Sequence, residues 1–307
     1  MEQQPLVSVI INCYNGEKYL REAIDSVIAQ TYTNWDIIFW DNQSTDGTAE
    51  IVKSYKDDRI RYFYAPEHTP LGEARNLAMK ETKGEYICFL DADDLWVNTK
   101  IELELLTFRK DSSIGVVYTN YLTYGDCKPK EFGGEQGYRD TNSIMCDYDI
   151  GMSSAMILKD VIVNRNITFN CKFQLVEDFD FFIEVSRYTK LFHVRDCLVY
   201  NRIHGANLTY RSRNWHGEFL ELYNKYSNAF STDELIRNTQ GLNKLLEEME
   251  NWIFLDNLNS NRRLKALLTL PKKKGLIYFL KCILKVCLGP NLLNKVVSLT
   301  KHHDSDI

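Results

Sequence analysis

The sequence has no Cys-x-x-Cys pair, no uncharged apolar run of the roughly 18 residues that a membrane-spanning helix needs, and no excess of basic residues. Its eight cysteines are scattered along 307 residues, so a zinc site or a disulfide framework is not indicated and reduced thiols are expected. The net charge of −5 argues against nucleic acid as a partner. A hydrophobic content of 44% is nevertheless ample for a globular core.

Two further absences concern phosphates and targeting. No Walker loop is present, and no Gly-x-Gly-x-x-Gly follows a predicted strand, so the common backbone devices for holding phosphate are missing. A nucleotide bound by this chain therefore needs another source of positive charge, such as a metal ion. The opening segment MEQQPLVSVIIN has no basic residues before its apolar run, so no signal peptide is expected and a cytoplasmic location is predicted.

The first hundred residues alternate between strand and helix patterns. Apolar runs without a helical period are typical of buried strands, and segments with one apolar face are typical of helices. The strands are predicted at 6–12, 35–40, 59–64 and 85–90. The helices are predicted at 17–30, from the turn at 44–47 to about 56, and at 71–83. This alternation predicts an α/β fold with a doubly wound, mostly parallel sheet, which binds ligands at the carboxyl ends of its strands.

An Asp-x-Asp spacing is found at four places in the chain. The pairs are Asp91/Asp93, Asp147/Asp149, Asp178/Asp180 and Asp304/Asp306. Only the first directly follows a buried-looking strand, where clustered carboxylates favour a hard cation such as Mg²⁺ or Mn²⁺. The alternative is that Asp93 or Asp94 caps a helix beginning near Trp96, and of the three aspartates Asp94 is the one expected to be such a cap.

Six segments together resemble one known family. In chain order they are VSVIINCYNGEKYLREAIDSVIAQTY, DIIFWDNQSTDGTAEIV, LGEARNLAMKETKGEYICFLDADD, GMSSAMILKD, VEDFDFF and NRIHGANLT. From residue 6 to about residue 209 the chain resembles the family 2 glycosyltransferases, inverting sugar-nucleotide enzymes with the Rossmann-like GT-A fold. The resemblance implies that a sugar passes from a nucleoside-diphosphate sugar, expected to be UDP-linked, to a glycan or lipid-linked glycan of a cell-surface polysaccharide.

The resemblance also implies roles for individual residues. Asp178 is expected to be the general base, and Glu177 its neighbour that helps to orient the acceptor. Asp93 and His204 are expected to bind Mn²⁺ or Mg²⁺. The donor is expected to contact Asn15, Asp41, Arg75, Asp91 and Asp93.

Several of these residues have simpler alternatives. Arg75 is also compatible with an ordinary cation on a helix surface, and Asp41 with the cap of the following turn. Glu177 and Asp178 are also compatible with a solvated helix start, because acidic groups favour helix N-termini. Asn42 stands where the family often has a second acid after the second strand, which weakens any claim about the base of the donor.

The later part of the chain is predicted to form a separate layer. Residues 1–213 are predicted as the catalytic domain, with 1–110 binding the nucleotide and 111–213 facing the acceptor, and 214–307 as a helical C-terminal extension. Between 261 and 288 the chain is basic and apolar, which fits either peripheral contact with an anionic membrane or a helix packed on the catalytic domain.

Two other functions also fit parts of the pattern. A sugar-nucleotide nucleotidyltransferase uses an α/β sheet with acidic metal ligands, but it needs a glycine-rich basic loop, and CYNGEKY has one glycine and one lysine. A non-catalytic nucleotide- or glycan-binding module does not need the acidic pair at Glu177 and Asp178.

Overall fold

A computed structural model describes residues 4–207 and 215–259, with side chains described as far as residue 253. The chain divides into two compact units, Met1–Arg211 and Ser212–Ile307. In the described ranges no helix is long and apolar enough to span a bilayer. The basic segment 261–288 lies outside the described residues, so its predicted membrane contact stays a prediction.

The first unit is built on one mixed sheet of ten strands. Its order is β3-β2-β1-β4-β9-β6-β10-β5, with β7 paired to β6 and β8 paired to β10. The strands are β1 (Val7–Cys13), β2 (Trp35–Asp41), β3 (Ile60–Tyr64), β4 (Tyr86–Phe89), β5 (Leu95–Trp96), β6 (Ile114–Gly125), β7 (Lys130–Phe132), β8 (Gly137–Arg139), β9 (Ala155–Leu158) and β10 (Lys190–Ile203).

Helices cover this sheet. They are α1 (Leu20–Ile28), α2 (Thr48–Ser54), α3 (Leu71–Lys80), α4 (Lys100–Phe108), α5 (Thr141–Cys146), α6 (Lys159–Arg165) and α7 (Glu177–Ser186), with a 3₁₀ turn at Met152–Ser154. β2 is buried along its whole length, as its run of apolar and aromatic residues predicts for a strand covered on both faces.

The strand directions bring several strand ends to one side of the sheet. β1 runs parallel to β2 and to β4, and β2 runs parallel to β3, as predicted from the βαβ alternation. β9 is antiparallel to both β4 and β6, and β10 is parallel to β6. The carboxyl ends of β1, β2, β4, β6 and β10 therefore lie on the same side, here named the carboxyl edge.

The structure corrects the predicted helix start near Trp96. Leu95 and Trp96 form β5, which pairs antiparallel with β10, and α4 begins only at Lys100. The N-cap residue of α4 is Thr99, and no side chain caps this helix through a hydrogen bond. Asp93 and Asp94 are therefore not helix caps, and the prediction that Asp94 has this role is wrong.

A buried serine on β1 connects this strand to β2 and to the turn before β4. Ser8 Oγ donates to Asp36 Oδ1 at 2.7 Å and accepts from the Gly84 N–H at 2.9 Å. Gly84 packs so closely that an added Cβ would lie 2.7 Å from the Leu6 carbonyl oxygen. The hydroxyl thus fixes the turn from α3 into β4, the strand that precedes Asp91.

Ser8→Ala is expected to lower the free energy of unfolding by about 1–3 kcal/mol, because it leaves these buried polar groups without a partner. Urea denaturation measures the change. Ser54→Ala is the matched control, since its hydroxyl is exposed, and it is expected to change stability by about 0.5 kcal/mol or less. An equal effect of the two variants would contradict this role of Ser8.

In the second unit, the described residues form α8 (Trp215–Ala229), α9 (Thr232–Arg237) and α10 (Thr239–Asn259). Trp215 stacks on Trp252 with ring centroids 5.0 Å apart, which joins α8 to α10. All cysteines in the described ranges are free thiols, as their scattered spacing predicts.

Candidate active site at the carboxyl edge

A buried arginine connects two acidic groups at the carboxyl edge. Arg75, on α3, lies 3.1 Å from Glu177 Oε1 and 3.4 Å from Asp91 Oδ1. Its side chain is only 4% exposed, whereas the Asp91 side chain is 42% exposed. The alternative of an ordinary surface cation is therefore wrong for Arg75. Buried charges of this kind are kept only when they are paired, so the three groups hold one another in place.

The acidic pair begins α7. Glu177 is buried and paired with Arg75, whereas the neighbouring Asp178 is only partly buried. Burial, reinforced by the charge of Asp178, raises the pKa of Glu177 to about 7, while Arg75 opposes the shift. Burial also raises the pKa of Asp178, and Arg75 again opposes it. Asp178 is thus the member of the pair that a second substrate can reach more easily.

The raised pKa of Glu177 has a consequence for stability. Its folded-state value of about 7 lies above the ordinary 4.5, so the folded chain keeps a proton that the unfolded chain releases as the pH rises between these values. The free energy of unfolding is therefore expected to fall over this range. Glu177→Gln is expected to remove a part of the fall, on the order of 2 kcal/mol between pH 5 and pH 8.

Urea unfolding at both pH values measures this difference. Glu67→Gln is the control, because Glu67 is exposed, and its pH dependence is expected to match that of the wild type. If Glu177→Gln kept the full wild-type dependence, the burial of a titrating Glu177 would be contradicted.

Asp93 meets the end of β10. Its Oδ2 accepts hydrogen bonds from His204 Nε2 at 2.8 Å and from the Asn207 side-chain amide at 3.2 Å. Asn207 also accepts from the His204 backbone N–H at 2.6 Å, so it fixes both partners. The two residues predicted to bind a metal are therefore adjacent, although 111 positions separate them in the sequence.

The pair fits a divalent cation in part. Two neighbouring ligands of an octahedral cation lie about 3 Å apart, close to the observed 2.8 Å between Asp93 Oδ2 and His204 Nε2. The His204 Nδ1 accepts from the Ala206 N–H, which places the ring proton on Nε2. His204 could therefore bind a metal through Nε2 only as the other tautomer, with the proton on Nδ1 and the hydrogen bond from Ala206 broken. No group of three or more His, Cys, Asp or Glu side chains suited to a metal is found in residues 4–207 and 215–253. A metal ion held here would therefore need its remaining ligands from phosphate oxygens and water.

Asp94 has a structural role, but it is not the predicted helix cap. It is buried, and its carboxylate accepts from Ser153 Oγ at 2.7 Å and from the Arg202 backbone N–H at 2.9 Å. Ser153 Oγ in turn accepts from the Asp91 N–H at 3.1 Å. Asp94 thus joins the Asp91–Asp94 turn to the 3₁₀ turn and to β10, which fixes the directions of its neighbours.

Two other predicted donor contacts lie at the ends of β1 and β2. Asp41 is fully buried, and its oxygens accept from the Ser44 N–H and the Tyr62 hydroxyl, each at 2.7 Å. Asn15 adopts a left-handed backbone conformation with φ of 55° and accepts from the Thr45 N–H at 2.8 Å. Both residues therefore join the loops at the carboxyl edge, and contact of a nucleotide base with Asp41 requires a rearrangement of its partners.

The predicted residues thus fall into two adjoining clusters and a separate pair, Asn15 and Asp41. Arg75, Asp91, Glu177 and Asp178 form the first cluster, Asp93 and His204 form the second, and Asp91 interacts electrostatically with Asp93. Sequence reasoning missed Ser153 and Asn207. Each lies within a motif that carried the resemblance, GMSSAMILKD or NRIHGANLT, but only the folded chain shows which carboxylate each one contacts.

Comparison with known proteins decides the family. A family model described as Glycosyl transferase family 2 matches residues 8–167, which is more than half of the chain. The chain belongs to glycosyl transferase family 2. It is therefore a glycosyltransferase, and the family membership favours sugar transfer over the nucleotidyltransferase and binding-module alternatives.

Individual relatives agree with this assignment. An uncharacterized glycosyltransferase of Rickettsia typhi is 30% identical over 240 residues, which cover 76% of this chain and 74% of the relative. The Escherichia coli protein named UDP-Glc:alpha-D-GlcNAc-diphosphoundecaprenol beta-1,3-glucosyltransferase WfgD is 37% identical over 116 residues, 38% of this chain and 46% of WfgD.

A solved structure supports the fold. The S. aureus TarS 1-349 structure in complex with UDP-GlcNAc has a TM-score of 0.69 to this chain and 17% identity, and the match covers 92% of both chains. At this identity the likeness shows the fold alone. It confirms the predicted GT-A class, with a mixed sheet in which the antiparallel pairs lie in the second half of the first unit.

Proposed function

We propose that this glycosyltransferase moves a sugar from a UDP-linked donor to a hydroxyl of a glycan or lipid-linked glycan, with inversion at the anomeric carbon. The observation that carries the proposal is the Arg75 bridge between Asp91 and Glu177. It joins the turn expected to hold the donor to the helix that starts with the expected base. Donor and acceptor thus meet in one crevice at the carboxyl edge, where ligands of such sheets bind.

The proposed reaction is a single displacement. The acceptor oxygen attacks the anomeric carbon while Asp178 takes its proton, and the bond to the nucleoside diphosphate breaks. Asp178 must be ionised for this step, so Arg75, which opposes the rise of its pKa, favours the reactive state. Glu177, held by Arg75, orients the acceptor from the neighbouring position on α7.

Residues at the second cluster hold the leaving group. When bound, a Mg²⁺ or Mn²⁺ ion supplies positive charge to the departing diphosphate. Asp93 is the residue proposed to hold it, with His204 joining through Nε2 as the tautomer that carries its proton on Nδ1. Asn207 keeps both side chains together, and Asp94 keeps the turn that carries Asp93 in place. In the same proposal, Asp91 contacts the ribose, and Asn15 and Asp41 lie nearest to the base.

The identities of donor and acceptor rest on chemistry and on relatives. The name of WfgD specifies a UDP-sugar donor and an acceptor on diphosphoundecaprenol, and TarS is described in complex with UDP-GlcNAc. A lipid-linked acceptor would also suit peripheral contact between segment 261–288 and an anionic membrane. We further propose residues 1–213 as the catalytic domain, with 1–110 serving the donor and 111–213 the acceptor, and 214–307 as its extension.

A donor screen tests this function. Purified protein is incubated with UDP-, GDP- and dTDP-sugars in the presence of Mn²⁺ or Mg²⁺ and of lipid-linked glycan acceptors, and the released nucleoside diphosphate is measured. Release is expected from a UDP-sugar, and removal of the metal with EDTA is expected to stop it. Release that depends on acceptor but persists in EDTA would contradict the metal role, and release only from another nucleotide class would contradict the UDP assignment.

A further inference from the structure

A tyrosine beside Asp178 has no part in the function described so far. The Tyr148 ring stacks on Phe179, with centroids 4.4 Å apart and an interplanar angle of 27°. Phe179 directly follows Asp178 on α7, so this stacking fixes the tyrosine against the start of the helix. The Tyr148 hydroxyl is itself buried, and within the described ranges no group meets it in hydrogen-bond geometry. A buried hydroxyl without a partner requires an explanation, because its desolvation is costly.

Asp178 has room for another donor. Its Oδ1 accepts from the Phe179 N–H at 2.7 Å, and the Tyr148 side chain is a further donor that lowers its pKa. The Tyr148 hydroxyl lies near enough that Asp178 raises the pKa of Tyr148 well above its ordinary value, after burial as the larger cause.

The charged and titratable groups that face Asp178 come from several elements. They are Glu177 on the same helix, Arg75 on α3, Asp91 after β4, and the hydroxyls of Tyr121 on β6 and Tyr148 after α5. The two neighbouring acids and burial favour the protonated carboxyl, and Arg75 opposes them most strongly, followed by the Phe179 N–H and the Tyr148 side chain. Arg75 is already paired with Glu177 and Asp91, so a neutral donor at Asp178 offers stabilisation that does not compete for the same guanidinium.

We propose that Tyr148 is a positioning residue for the general base, with its hydroxyl donating to Asp178 and holding that carboxylate ionised and turned toward the acceptor. This inference rests on the proposed function, in which Asp178 takes the acceptor proton. Tyr148 keeps its own proton throughout, so no proton-transfer step is added to the reaction. The same interaction lowers the pKa of Asp178 and so counteracts part of the effect of burial.

The pH profile of kcat/KM distinguishes this role from simple packing of an aromatic ring. Loss of a hydrogen bond to a charged group is expected to move the acidic limb of the Tyr148→Phe variant to higher pH by about one unit. Above that limb the activity is expected to return to within a few-fold of wild type, because the ring and its stacking on Phe179 are kept. Circular dichroism checks that the variant is folded.

A matched control and a second substitution complete the test. Tyr118→Phe removes a buried hydroxyl that donates to Asp149 at 3.0 Å, outside the proposed machinery, and its acidic limb is expected to coincide with that of wild type. Incorporation of 3-fluorotyrosine at position 148 keeps the hydroxyl and makes it a stronger donor, so it is expected to move the limb to lower pH. This second measurement still decides the question if Tyr148→Phe does not fold.

Two results separate failure of this inference from failure of the proposed function. If Tyr148→Phe and the fluorinated protein both kept the wild-type acidic limb while Asp178→Asn lost activity, the role of Tyr148 would be overturned and the base would stand. If Asp178→Asn were fully active, the proposed base itself would be overturned, whatever the effect of Tyr148.

Discussion

Asp178→Asn is expected to lower kcat by about two to four orders of magnitude, the usual contribution of a general base. The amide keeps the shape of the side chain but cannot take a proton from the acceptor hydroxyl. Donor affinity is expected to stay close to the wild-type value, because the donor contacts are proposed at Arg75, Asp91 and Asp93. Steady-state kinetics and calorimetric titration with UDP-sugar separate the two effects.

The control for this variant is Asp160→Asn, which makes the same chemical change at an exposed position near the start of α6. It is expected to retain wild-type kcat. A weakened donor affinity in Asp178→Asn with unchanged kcat at saturating donor would contradict the assignment, since that pattern indicates a binding group and not a base.

Asp93→Ala is expected to weaken donor binding in the presence of Mn²⁺ by about 100-fold, because a charged ligand of the metal–diphosphate complex is lost. Without metal, the variant and the wild type are expected to bind the donor with similarly low affinity. Calorimetric titrations of UDP with and without Mn²⁺ measure both quantities. The comparison therefore tests the coupling between metal and donor, not donor binding alone.

Asp58→Ala serves as its control, since Asp58 is exposed and distant in sequence from every predicted site residue. The wild-type difference between titrations with and without metal should be preserved in it. If Asp93→Ala also kept the full wild-type difference, Asp93 would not be the residue that holds the metal. The thermal unfolding of both variants should also be measured, because Asp93 accepts hydrogen bonds from His204 and Asn207 and its loss can lower stability.

The part of the fold that sequence could predict is the part with strong periodicity. β1, β2 and β4 are apolar runs with helices between them, so their existence and parallel pairing follow from pattern alone. The short strand β5 has two residues and no pattern of its own. It exists because β10, about a hundred positions later in the chain, offers it a partner. The wrong helix start near Trp96 has this long-range pairing as its physical cause.

The candidate site was likewise only partly predictable from the sequence. A strand end followed by acids is visible in the sequence, but the partner of each acid is not. Asp94 contacts Ser153 and Arg202, and Arg75 contacts Glu177 102 positions away, through folding of the whole first unit. For Asp178 and His204, only the resemblance to a family suggested roles, because a lone acid or histidine has no distinctive spacing. Tyr148 had no sequence signal, and only its buried hydroxyl beside Asp178 distinguishes it.

In the proposed reaction, Asp178 deprotonates the acceptor during a direct displacement, and no sugar becomes covalently bound to the protein. Proton NMR of the product, recorded early in a reaction with an α-linked UDP-sugar identified by the donor screen, tests it most directly. The anomeric coupling constant is expected to report a β-linkage, formed with inversion. An α-linked product would contradict the single displacement and with it the role of Asp178 as its base.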